Sequence, residues 1–178
     1  MVLNIYKKGT NQMTSIPKSS IRMVFGRMIF GGLAALLLVM SAPVARADDF
    51  GSREQAQAMV ERAAAFLKDN GRDKALAEFG NPKGQFIDRD LYVVAYAAAD
   101  GVRLSHPYNP KLVGKSVAEA KDIDGKAYGQ EILDLGNGKG SGWVDYKYTD
   151  PATKKLGDKT LYVLKVGDIL LGCGAYKH

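Results

Sequence analysis

The sequence predicts an α+β domain, a five-stranded and mostly antiparallel sheet with a long N-terminal helix and a helical crossover, and three observations carry that reading. Apolar residues recur at helical spacing after Ser52. The turn dipeptides Asp100-Gly101 and Gly167-Asp168 each separate two apolar runs, as hairpin loops do. A polar stretch holding one more helical pattern lies between those hairpins. Two helices, two strands, a crossover and three closing strands then form one sheet with helices to one side.

In chain order, residues 28–40 are almost wholly apolar or glycine, follow Arg22 and Arg27, and lead into Ala45-Arg46-Ala47. This is the layout of a secretory signal peptide over residues 1–47, with Met23 as an alternative translation start. The apolar run is about 13 residues, short of the roughly 20 that a membrane-spanning helix needs. The expected product is a single domain over residues 48–178, periplasmic or secreted after cleavage.

Ser52-Arg53-Glu54-Gln55 has the capping-box form, and Ala56, Met59, Val60, Ala63 and Leu67 define one helical face up to the stop at Asn70-Gly71. Asp73 is positioned to cap a second, short helix carrying Leu76 and Phe79 and ending at Gly80. Residues 91–98 are apolar on both alternating faces, so a strand covered on each side is expected there. A two-residue Asp100-Gly101 loop would pair Ala99 with Val102, Ala97 with Leu104 and Ala95 with His106. Residues 107–124 read as a long polar excursion with at most a short helix near residues 117–120. Asp124 would cap a helix bearing Tyr128, Ile132 and Leu135 and closed by Gly136. Residues 142–148, 159–166 and 169–176 read as strands. The Gly167-Asp168 hairpin sets Leu164 opposite Leu171, Tyr162 opposite Cys173, Val163 opposite Gly172 and Leu161 opposite Gly174.

The 178 residues are 46% hydrophobic and 25% charged with one cysteine, which excludes a disulfide scaffold. The formal charge of +6 belongs to residues 1–47, which hold six Lys/Arg and no acid. The remainder is balanced at 19 basic and 19 acidic residues, so no nucleic-acid partner is expected. Asp122 and Asp124 lack the spacing and closing Glu of a calcium loop, and residues 109–116 lack the first glycine of a phosphate loop. No metal and no cofactor is expected.

Read in order, Asp90-Leu91-Tyr92-Val93-Val94, Asp100-Gly101, His106-Pro107-x-Asn109-Pro110-x-Leu112-Val113-Gly114-Lys115, Asp122-x-x-Gly125 and Gly140-Ser141-Gly142-Trp143-Val144-x-Tyr146 resemble the single Cache domain, type 2. Thr160-Leu161-Tyr162-Val163 and Gly172-Cys173-Gly174-x-Tyr176 fit the same pattern. The resemblance implies a PAS-like extracytoplasmic sensor fold that binds small ligands, often short organic acids. In chemoreceptors the domain continues into a transmembrane helix and signalling domains, whereas this chain stops with its last strand. The expectation is a free-standing binding module that acts through a separate partner, a membrane receptor or sensor kinase.

Candidate ligand-binding residues are His106, able to donate to a carboxylate while neutral, and the rings of Tyr92, Trp143, Tyr146 and Tyr162, which wall an apolar pocket and offer polar tips. Lys115 in the excursion would neutralise a bound acid. Trp143 and Tyr146 point to opposite faces of a regular strand, so only one of them is expected in a given cavity. No nucleophile–base signature or metal cluster marks an enzyme. The competing readings are an interaction protein whose pocket is filled and, behind it, an enzyme without a visible signature. The oligomeric state is left open. N-terminal sequencing of the exported protein is expected to start at Asp48; a start upstream of residue 28 would show the leader retained.

Overall fold

The computed structural model describes residues 50–150 and 153–177; the expected signal peptide lies outside the described residues. Helix α1 spans Arg53–Asn70, and its Ser52–Gln55 capping box is formed in both directions. Helix α2 follows at Arg72–Phe79. Gly71, at φ +80°, occupies its N-cap, so Asp73 falls inside the first turn instead of capping it.

The strands are β1 (Ile87–Asp88), β2 (Leu91–Ala97), β3 (Arg103–Ser105), β4 (Ser141–Thr149), β5 (Leu156–Val166) and β6 (Ile169–Tyr176). They form one antiparallel sheet in the order β1-β2-β6-β5-β4, with β3 also paired to β2. The sheet has one strand more than expected, because two residues, Ile87 and Asp88, carry no pattern that alternation could reveal. The β5–β6 register is the expected one in all four named pairs, fixed by the two-residue loop between Val166 and Ile169.

The β2–β3 register differs from expectation. Ser105, not His106, lies opposite Ala95, Arg103 lies opposite Tyr96, and the register shifts between these pairs. The Gly101 amide donates to the Ala97 carbonyl at 2.9 Å and the Ala97 amide to Val102 at 2.8 Å, so four residues rather than two make the turn. Bulging the ladder puts Arg103 under cover and carries His106 off the strand end. The following excursion is pinned along β3: the Arg103 amide donates to Lys115, and the Gly114 amide returns to the Arg103 carbonyl. Its short helix is a 3-10 turn at Pro110–Leu112, upstream of the expected place.

Helix α3 spans Tyr128–Gly138 with Ala127 at its N-cap. Asp124 does not cap it. The carboxylate of Asp122 organises the preceding loop, accepting from the amides of Asp124, Lys126 and Lys147 at 3.0, 2.9 and 3.1 Å, while Asp124 pairs with Lys147. Gly136 does not end the helix. A Cβ there would sit 2.6 Å from Leu170, so glycine lets α3 press onto the sheet.

The helices cover both faces, not one. Alternation in β2 sends Leu91, Val93 and Ala95 into a core with α1 and α2, and Tyr92, Val94 and Tyr96 into a second core with α3. Gly129 is the tightest contact of that second core, since a Cβ would lie 1.6 Å from the Val117 carbonyl oxygen. Gly129→Ala is therefore expected to lower the unfolding free energy by about 3 kcal/mol. Gly138→Ala, with open space around it, is expected to raise it by about 0.5 kcal/mol. Urea denaturation midpoints check both, and equal effects would contradict the packing described.

Candidate functional site

The second face of the sheet carries a recess whose walls are unlike a core. Alternation in β5 points Lys159 and Leu161 to the same side as Tyr92, Val94 and Tyr96, and the bulge adds Arg103 and His106. Tyr128 from α3 and Tyr146 and Tyr148 from β4 complete a space of about 20 Å³, room for about one water. No carboxylate lines it among the described residues. Lys159 and Arg103 are nonetheless 2% and 8% exposed.

Lys159 lies along β6 where Gly174 has no side chain; a Cβ there would be 2.2 Å from its Cε. Its Nζ donates to the Tyr92 hydroxyl at 3.1 Å and the Tyr176 hydroxyl at 3.5 Å. The same nitrogen stands 4.4 Å from the Tyr92 ring centre, 4.6 Å from Tyr176 and 5.7 Å from Tyr148, a cage of aromatic faces. Burial lowers its pKa to about 8, partly offset by Cys173, Asp90 and Asp150. Burial also drives the Tyr92 hydroxyl well above the usual tyrosine range. Arg103 faces the Tyr96 ring at 5.9 Å.

His106 Nδ1 accepts the Asn109 amide at 3.1 Å, which leaves the proton of a neutral ring on Nε2 as a donor. Its pKa is pushed down to about 4, first by burial and then by the charges of Lys159 and Arg103. The recess thus offers a buried ammonium, a guanidinium and an imidazole N–H with no anion to match them.

Tyr92, His106, Tyr128 and Tyr148 are shared with an outer chamber of about 490 Å³ that opens to solvent between the excursion and the end of β4. Of the residues expected to bind ligand, the structure brings together Tyr92, His106 and Tyr146 at the recess. Tyr146 lies stacked on Tyr128, ring centres 4.2 Å apart. Trp143 and Tyr162 point to the opposite face, packed on each other at 5.1 Å in the α1 core, with Arg53 over the indole. Lys115 is exposed on the excursion and lines neither the recess nor the chamber. Sequence reasoning missed Arg103 and Lys159. Gly174 was the available signal, since a strand glycine marks close approach by another group, here the lysine. No group of three or more His, Cys, Asp or Glu is placed to hold a metal among the described residues.

The mixed helix and antiparallel-sheet fold, with a hollow beside one sheet face, is of the PAS-like kind. The profile of the single Cache domain 2 matches residues 50–178, and the chain belongs to that family. It is similar to a Cache chemosensory domain described for carboxylic acid recognition, at 27% identity and a TM-score of 0.59, over 70% of this chain and 92% of that one. A methyl-accepting chemotaxis protein from Vibrio parahaemolyticus shares the fold at 23% identity and TM-score 0.57, over 69% and 86% of the two chains. The periplasmic sensor domain of a chemotaxis protein does so at 24% and 0.54, over 70% and 90%. A search of curated proteins finds no match. Cache domains are extracytoplasmic sensory ligand-binding modules, and none of the helices among the described residues is long and apolar enough to cross a membrane.

The depressed His106 pKa has a direct consequence for stability. The unfolded chain protonates this ring near 6.5, whereas the folded one resists to about 4, so the unfolded state binds the extra proton as pH falls. Stability from the neutral ring is complete above about 6.5 and is lost between 6.5 and 4, roughly 2–3 kcal/mol by pH 4.5. Urea unfolding at pH 7 and pH 4.5 is expected to show this loss in the native chain and to lack most of it in His106→Gln. An equal loss in both would place the titration elsewhere.

Proposed function

We propose that this domain binds a small carboxylic acid in the periplasm and reports its presence to a membrane receptor or sensor kinase, without chemical turnover of the ligand. The observation that carries the reading is the convergence of Arg103, Lys159 and His106 on a recess without a carboxylate. A carboxylate head has two oxygens for the guanidinium and ammonium and a remaining lone pair for the imidazole N–H. Inside a buried site these charge-assisted bonds meet little competition from water. Tyr92 and Tyr146 serve as walls, with the Tyr92 hydroxyl holding Lys159 in line. In this reading Trp143 and Tyr162 fasten α1 to the sheet and Lys115 stays outside the site. The similarity to a carboxylic-acid-recognising Cache domain supports the ligand class.

Exchanging the bound anion for empty space costs the protein an unmatched pair of buried cations, so ligand occupancy is strongly coupled to local structure. Calorimetric titration with acetate and propionate is expected to show one site per chain. Arg103→Met and Lys159→Met should each weaken binding by about 100-fold or more. Lys159→Met should at the same time raise the stability of the unliganded protein by about 1–3 kcal/mol, because a desolvated charge is removed. Unchanged affinity in both variants would contradict the site. Failure of every small acid to bind, with intact folding, would favour an interaction protein with a filled pocket.

A further inference from the structure

The recess has about 20 Å³, room for about one water, whereas the chamber that shares four of its walls is near 490 Å³. Whatever atoms follow the carboxylate must lie in that outer space. Among the described residues four large apolar side chains are exposed: Tyr108, Val113, Ile123 and Leu156. Three of the four, all but Val113, line the outer chamber. Ile123 is 73% exposed at the tip of the Asp122 loop, and Leu156 is 50% exposed at the start of β5. Isolated exposed apolar residues are ordinary, but three gathered around a hollow that shares walls with the basic recess mark a surface suited to an apolar group.

The polar groups of the same chamber are largely engaged. Asp122 is saturated by three backbone amides, and Lys147 is held by Asp124 at 2.7 Å. The Asp122 anchors hold Ile123 in place over the hollow. Lys121 and Lys154 are exposed cations on this rim, which makes a second carboxylate the competing occupant.

Resting on the carboxylate reading above, we propose that the outer chamber is a subsite for an apolar tail, so that the ligand is an amphiphilic monocarboxylic acid with an alkyl or aryl chain rather than a two- or three-carbon acid. The tail lies against Tyr108, Ile123 and Leu156 and removes their apolar surface from water together with its own. Each buried methylene then tightens binding by about fourfold.

Calorimetric titration with acetate, butyrate, hexanoate, 3-phenylpropionate and succinate tests this directly. Hexanoate and 3-phenylpropionate are expected to bind at least about tenfold tighter than acetate. The surface variant Ile123→Ser/Leu156→Ser should keep the acetate affinity and lose most of the hexanoate advantage. Acetate equal to or tighter than hexanoate, with the Arg103 dependence intact, would overturn the tail subsite and leave the carboxylate reading standing. Succinate tighter than butyrate would overturn it in favour of a second anion at Lys121 or Lys154. A hexanoate advantage that survives the double variant, or a variant that alters only self-association of the protein, would overturn it too. No binding by any of the acids would remove the carboxylate reading and the tail subsite together.

Discussion

Two basic side chains buried at a recess that no carboxylate lines among the described residues are the constraint around which this domain is arranged. Moving an ammonium and a guanidinium from water into a protein interior costs several kcal/mol each unless something replaces the water. Here the replacement is partial: tyrosine faces and two phenolic hydroxyls around Lys159, and the ring of Tyr96 and the Ser116 carbonyl beside Arg103. Burial accordingly lowers the pKa of Lys159 to about 8. The two apolar cores that flank the sheet offset the cost of burying these charges.

The sheet acts as a partition. One face carries α1 and α2 on Val93, Leu171, Cys173 and Tyr162, and the other carries the recess under α3. The strand that presents Lys159 to the recess presents Tyr162 to the α1 side, three residues along the same backbone. The recess and the long N-terminal helix are thus borne by common strands.

Where local chemistry decides structure, the sequence was legible. The Ser52–Gln55 box set the start of α1, and a two-residue loop left only one register for β5 and β6. Where structure answers to distant groups, it was not. The β2–β3 register depends on a bulge that Asp100-Gly101 does not announce. Asp124 looked like a cap because the real organiser, Asp122, works through amides up to 25 residues away. At the site, His106, Tyr92 and Tyr146 stood out as pocket residues, yet both cations escaped notice because a lysine or arginine on a strand reads as solvent-facing. Trp143 and Tyr162 were prominent for their size, and size alone does not tell one sheet face from the other.

An anion that completes the set of buried donors must draw a proton onto Lys159, and proton linkage reads that step. Burial lowers the Lys159 pKa to about 8, so at pH 8 an arriving carboxylate finds it about half charged. Measuring acetate binding heats at pH 8 in buffers of different ionisation enthalpy gives the number of protons exchanged. Net uptake of about half a proton per ligand, absent in Lys159→Met, is the predicted result. Binding with no proton uptake, or with release, would contradict the account.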